Sequence, residues 1–196
     1  VERYAGVADV VNGSTINVYG DSPHPATEQT PCRPTSYYGR TRHAQEKLID
    51  FFCANSGKRC INLRYSHANS AERGVLHRFA ELIHAEHSLG ENPDEKIQVI
   101  ALEDIVRMTK ESVKFMANPP VEVNCCHPRI WTMRELAFAI KERLEQGRVV
   151  FDRKSGGEEN SAYADVSRMI EWFGEPKIGV QTLIDRAAAR LKNSAP

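Results

Sequence analysis

Between Ala8 and Tyr65 the chain reads strand, helix, strand, and that order decides the fold class. The first strand-like run is Ala8-Asp9-Val10-Val11-Asn12, closed by Asn12-Gly13-Ser14-Thr15. The second is Arg59-Cys60-Ile61-Asn62-Leu63-Arg64-Tyr65. Between them a long helix opens at Ser36 with Ser36-Tyr37-Tyr38-Gly39-Arg40-Thr41-Arg42 and runs to about Asn55, ahead of Gly57. Ala44, Leu48 and Phe52 recur at helical spacing within it, and a glycine just past the last turn is a common stop. Two apolar strands joined through a helix are the unit of a parallel sheet.

The alternation continues outward. A helix is predicted from about Glu72 to His87 on the stripe Val75, Phe79, Leu82 and Ile83, and a strand over Ile97–Ala101. A helix from Glu103-Asp104 to about Met116 follows, broken by Pro119-Pro120, and then a strand over Val121–Cys126. Thr132 and Glu135 have the spacing of a capping box before a helix over Leu136–Gln146. A strand is expected over Val149–Phe151, a loop over Lys154–Tyr163, and helices over Asp165–Gly174 and Gln181–Lys192. At the other end, Tyr4-Ala5-Gly6-Val7 reads as the close of a helix, which implies a preceding segment. The expected fold is α/β with a parallel sheet, plus a smaller α+β portion after about residue 90.

Composition removes several classes. The 196 residues carry 26 Lys+Arg against 26 Asp+Glu, so the global basic excess of a nucleic-acid binder is missing. Mean hydropathy is −0.48, and no apolar run approaches the eighteen or so residues of a membrane span. Val1-Glu2-Arg3-Tyr4 is not followed by the apolar core of a signal peptide. The five cysteines (Cys32, Cys53, Cys60, Cys125 and Cys126) are odd in number and form no CxxC pair, which suits reduced thiols in the cytoplasm.

Three side chains carry the chemistry. Thr15 follows an apolar strand, Tyr38 opens a helix, and Arg42 lies four residues on, hence on the same helix face. A permanent cation beside a phenol favours the phenolate and makes the ring oxygen usable as an acid or base near neutrality. A threonine hydroxyl can share a hydrogen bond with the same substrate oxygen. Taken alone, Tyr38 and Arg42 are an ordinary surface pair and Thr15 a turn cap. His77, His84 and His87 fall on one predicted helix without the further ligands of a metal set, so no metal site is expected. His127 follows two cysteines, but adjacency in sequence is not the geometry of a nucleophile and its base. His67 is expected at the carboxyl end of a strand, where α/β sites sit. Asp165 reads as a helix cap.

A longer pattern surrounds these residues. It comprises Ser14-Thr15-Ile16-Asn17-Val18-Tyr19-Gly20-Asp21, then Glu28, Pro31 and Pro34 ahead of Ser36-Tyr37-Tyr38-Gly39-Arg40-Thr41-Arg42, then Ala44 and Glu46. Ile61-Asn62-Leu63-Arg64-Tyr65, Leu102-Glu103-Asp104-Ile105, Ala164-Asp165 with Ser167, and Phe173-Gly174 with Pro176 continue it. In this order the pattern resembles the extended short-chain dehydrogenase/reductase family, the NAD(P)-dependent nucleotide-sugar epimerases and dehydratases. The resemblance implies a Rossmann-like sheet. Residues 1–66 would be the carboxyl-terminal part of the dinucleotide-binding domain, and residues 67–196 mainly the substrate-binding region, with some elements returning to the sheet. It implies Thr15, Tyr38 and Arg42 as catalytic residues, with Tyr38 and Arg42 also holding NAD or NADP. It implies an epimerase or reductase acting on a sugar-type hydroxyl or keto substrate, including a nucleotide sugar, and a homodimer packed through the helix from Ser36.

The chain departs from that pattern in four places. No glycine-rich pyrophosphate fingerprint occurs, and only 37 residues precede Tyr38. Arg42 stands where the family has lysine, and the two are not interchangeable at a fitted site. Ile16 and Asn17 stand where the family's dehydratases carry Asp and Glu, which disfavours 4,6-dehydration. Ser66-His67-Ala68-Asn69-Ser70 and Ile97 replace family substrate contacts, leaving His67 and Lys96 as substrate-binding candidates. The rival expectation is a non-catalytic member that keeps the fold as a ligand-binding or interaction module.

Overall fold

A computed structural model describes residues 9–70, 72–152 and 162–194. The expectations for Tyr4–Val7 and for Lys154–Ser161 lie outside these residues. The central sheet has three parallel strands in the order β1 (Asp9–Thr15), β2 (Arg59–Tyr65), β6 (Val121–Cys125). Between β1 and β2 runs α1 (Tyr37–Ser56), capped by the Ser36 hydroxyl, which accepts from the Gly39 N–H at 3.0 Å. Gly57 ends it at φ 67°, a left-handed position that glycine adopts without steric cost.

β2 lies between two neighbours and reads Cys60-Ile61-Asn62-Leu63-Arg64, every residue of it buried. Its register sets Asn12 opposite Asn62, Ser14 opposite Arg64 and Thr15 opposite Tyr65. Ile61, Leu63, Val123, Cys125 and Met108 form the apolar core of this half.

The second half is helical. β3 (His67–Asn69) leads to α2 (Val75–His84); β4 (Lys96–Ile97) and β5 (Val99–Ala101) precede α3 (Leu102–Glu111). β7 (Trp131–Thr132) precedes α4 (Met133–Leu144), and α5 (Ser167–Phe173) and α6 (Val180–Ser194) follow. β3 pairs with β5 in parallel and β4 with β7 antiparallel. Thr132 and Glu135 form the capping box. Helices α2, α4 and α6 close on Leu76, Phe79, Ile83, Leu136, Ile140 and Ile184, all fully buried.

Several expectations are corrected. The strand expected at Ile97–Ala101 is two, because the chain changes partner at Gln98: Lys96–Ile97 pairs with β7 and Val99–Ala101 with β3, while the Gln98 side chain bonds Ala164 N–H (2.7 Å) and the carbonyls of Ala164 and His127 (both 3.1 Å). Val149–Phe151 supplies one isolated bridge, Val150 to Ser88, and no strand. Helix α2 is shorter than expected; it begins after Gly74, at φ 123°, and ends at His84. The Asp165 carboxylate accepts from the Ser167 N–H at 3.0 Å one residue ahead of the cap position, which Val166 holds. On α1 the spaced apolar residues do not mark the buried face: Leu48 is 71 % exposed, and the buried positions are Gly39, Glu46 and Cys53.

Candidate active site

Where β1 ends and α1 begins, an open cleft of about 490 Å³ gathers Ser14, Thr15, Asn17, Tyr38, Arg42 and His67 on its walls. Thr15, 6 % exposed, caps the short turn Ile16–Val18 by accepting from the Asn17 N–H at 3.3 Å. Tyr38 is the second residue of α1 and stays 48 % exposed. The Arg42 guanidinium lies 5.3 Å from the centre of its ring and donates to the Gln45 side chain at 2.9 Å. Gly39 allows this end of the helix to approach, since a Cβ there would fall 2.4 Å from the Asn17 carbonyl oxygen.

Two other tyrosines nearby, Tyr65 and Tyr19, are otherwise engaged. Tyr65 lines the cleft, but its hydroxyl bonds Thr109 at 2.7 Å and burial raises its pKa. Burial also raises that of Tyr19, whose hydroxyl is shared between Arg64 and Asn124. Tyr38 is the accessible phenol on this wall.

His67 lies at the rim, where the cleft meets a second cavity of about 440 Å³ bordered by Arg78, Glu91 and Glu95. His67 is exposed at this rim, and the protein packed around one side of its ring disfavours the imidazolium and lowers its pKa. Lys96 is placed elsewhere: its ammonium donates to the Tyr163 hydroxyl at 2.9 Å and lies 4.4 Å from that ring's centre. The structure thus brings Thr15, Tyr38, Arg42 and His67 to one cleft and leaves Lys96 outside it.

The remaining candidates have partners of their own. His77 pairs with Glu81 at 3.2 Å and His84 bonds Gln146 at 3.0 Å. Cys125 and Cys126 are fully buried, and burial holds the Cys126 thiol protonated with a pKa of about 12, which does not suit a nucleophile. His127 accepts from the Arg129 N–H at 3.1 Å. Among the described residues no helix is long and apolar enough to cross a membrane.

Sequence reasoning missed the support beneath the cleft. The Glu46 carboxylate, fully buried on α1, takes a two-pronged bond from Arg64 of β2, Nε at 3.0 Å and Nη2 at 2.7 Å. It also accepts from the Ser14 hydroxyl at 2.5 Å. Burial alone would lower the Arg64 pKa, but its neighbours, the Glu46 carboxylate first among them, more than offset that and the guanidinium stays charged. The available signal was a charged residue, Arg64, between Leu63 and Tyr65 near the end of a buried strand.

Known proteins share this architecture. The family model described as NAD dependent epimerase/dehydratase family matches residues 1–118, more than half of the chain. A UDP-glucose 4-epimerase of Streptomyces lividans is 35 % identical over 74 residues, which are 37 % of this chain and 22 % of the relative. Among solved structures, UDP-glucose 4-epimerase of Thermotoga maritima with UDP-glucose superposes with a TM-score of 0.83 at 19 % identity. It matches 98 % of this chain and 67 % of its own length. UDP-glucuronic acid 4-epimerase of Bacillus cereus with UDP-glucuronic acid and NAD gives 0.86 at 17 % identity, over 99 % of this chain and 65 % of that one. At such identities the structural likeness is one of fold.

Proposed function

The chain belongs to the NAD dependent epimerase/dehydratase family, and from that premise we propose that it takes part in NAD(P)-dependent epimerisation or reduction of a sugar-type hydroxyl or keto substrate. The observation that carries this reading is the meeting of Thr15, Tyr38 and Arg42 in one open cleft, with Tyr38 half-exposed.

The cleft's donor set suits the nicotinamide end of such a cofactor: a hydroxyl, a phenol and a fixed cation around an open space. The glycine-rich turn that would hold a pyrophosphate is not in these 196 residues. When bound, the nicotinamide supplies the acceptor and donor of hydride. The chain's own residues do the rest. Tyr38 removes the proton from the substrate hydroxyl as the carbon is oxidised and returns it on reduction. Thr15 donates a hydrogen bond to the same oxygen. Arg42 orients the Tyr38 ring and holds ribose hydroxyls.

Ile16, buried, and Asn17 follow Thr15 and can transfer no proton, which supports epimerisation or reduction over 4,6-dehydration. Within this reading residues 1–66 serve the dinucleotide and residues 67–196 mainly the substrate, a nucleotide sugar among the candidates; His67 is a substrate contact and Lys96 a more remote one. Tyr37, Leu48 and Phe51, exposed on α1, support a homodimer, and five free cysteines support a cytoplasmic setting.

Tyr38→Phe tests the reading. Nicotinamide binding, followed by thermal shift with NAD(H) and NADP(H), is expected to persist. Turnover with UDP-glucose or UDP-glucuronic acid as probes is expected to fall by about 10²–10⁴-fold, the scale of a lost general acid–base. Turnover unchanged by Tyr38→Phe would remove Tyr38 as the acid–base residue, and a parent chain that binds cofactor without any turnover would favour the non-catalytic module instead.

A further inference from the structure

The face of α1 that meets the sheet holds little apolar material. Its buried residues, Gly39, Glu46 and Cys53, are spaced by seven and make a seam one side chain wide. Leu48 and Phe51 point to solvent at 71 % and 69 % exposure. At the middle of the seam, where a leucine would ordinarily sit, is a carboxylate.

That carboxylate joins four elements. Ser14 of β1 and Arg64 of β2, partners across the ladder, both bond Glu46. The Arg64 Nη1 donates to the Tyr19 hydroxyl at 2.9 Å, and that hydroxyl donates to the side-chain Oδ1 of Asn124 on β6 at 2.7 Å. Ser14, Tyr19, Glu46, Arg64 and Asn124 are each at most 6 % exposed. A second relay runs alongside: Arg42 to Gln45, Gln45 to Asn12 at 2.7 Å, and Asn12 to Asn62 at 2.8 Å. Ser14 immediately precedes Thr15, and Glu46 lies one turn beyond Arg42 and two beyond Tyr38.

A buried ion pair adds little net stability, because desolvation of both charges offsets most of their attraction. Its geometry is another matter. A two-pronged guanidinium–carboxylate bond fixes distance and angle together, whereas an apolar contact lets a helix slide or roll. We propose that Glu46 and Arg64 are positioning residues, whose bond sets α1, and with it Tyr38 and Arg42, at the height and rotation that face Thr15. This inference rests on the reading of Tyr38 as the acid–base residue, and it concerns how that residue is held.

The test replaces both charges with apolar side chains of similar size, Glu46→Leu/Arg64→Met, in the full chain labelled with 3-fluorotyrosine. The Tyr38 fluorine resonance is assigned by Tyr38→Phe. Tyr37, exposed on the same helix, serves as the internal reference. The melting temperature is expected to move by less than about 4 °C. The Tyr38 resonance is expected to shift or broaden while that of Tyr37 holds. Arg64→Lys, which keeps the charge and loses the fork, should shift Tyr38 in the same direction and by less. In turnover, kcat should fall on the order of 10²-fold with KM little changed, the cost of a small misplacement. A Tyr38 resonance identical to wild type at unchanged melting temperature overturns the proposal. So does a collapse of melting temperature in both variants, since the pair would then be a stabilising staple. Failure of the catalytic reading shows differently: Tyr38→Phe would leave turnover intact while the fluorine signals still reported the effect of the pair.

Discussion

Helix α1 and the cluster of α2, α4 and α6 are attached to the molecule by opposite means. The cluster closes on interlocking Leu, Ile and Phe side chains that are fully buried, with the capping box at Thr132 securing one helix start. Helix α1 meets the turn after β1 and the sheet through a glycine, a carboxylate and a cysteine, and keeps Tyr37, Leu48 and Phe51 outside. Apolar burial stabilises in proportion to area and is indifferent to direction. Polar docking adds less and specifies more. The difference separates two tasks: the helical cluster holds the fold together, and the α1 seam holds the cleft in register.

If that division is right, the largest stability loss belongs in the cluster. Phe79 is 0 % exposed among Leu76, Ile83 and Leu136, and Phe79→Ala should cost about 3–5 kcal/mol in urea unfolding. The fluorine resonance of Tyr38 should stay in its native position until the whole chain unfolds. A cost below about 1 kcal/mol would mean that the cluster collapses around the deletion, and would break the comparison from the stable side.

Gly39→Ala attacks the other side. The added Cβ would fall 2.4 Å from the Asn17 carbonyl oxygen and 3.0 Å from the Pro34 Cβ. Overpacking of this kind costs about 1–3 kcal/mol, and the better helix propensity of alanine returns up to about 1 kcal/mol. The expected net is a modest loss of stability with a disproportionate loss at the cleft, because the end of α1 that carries Tyr38 must lift. A variant with native Tyr38 resonance and native melting would show that the close approach is not needed.

What the sequence made legible follows the same division. Periodicity exposed the strand–helix–strand order and the capping signals at Ser36 and Thr132, because these are local in the chain. Thr15, Tyr38 and Arg42 were legible through their spacing and their surrounding pattern. The Glu46–Arg64–Ser14 bond was not, since its partners lie 18 and 32 residues apart and meet only through strand register. The spaced apolar residues of α1 invite assignment to the core, yet Leu48 faces outward: periodicity reveals a stripe, and packing decides what it meets. The break in the strand at Gln98 comes from a change of partner, from β7 to β3, which no local pattern announces.

The smallest expected effect, and the one that sharpens the comparison most, is a pH dependence centred on His67. Its pKa in the folded chain lies below the ordinary value of 6.5 because the surrounding protein disfavours the imidazolium. As pH falls through about 6.5 the unfolded chain takes up a proton that the native chain refuses, so stability declines with acidification and levels off below the folded pKa. His127, lowered chiefly by burial, contributes in the same direction. His67→Asn should therefore reduce the acid slope of the urea midpoint without abolishing it. Since His67 lies at the rim of the cleft and outside the helical cluster, the same substitution should leave the cost of Phe79→Ala unchanged, as expected of independent sites. An unaltered acid slope would show that the protein around His67 does not disfavour its imidazolium. A changed cost of Phe79→Ala would mean that rim and cluster are one cooperative unit after all.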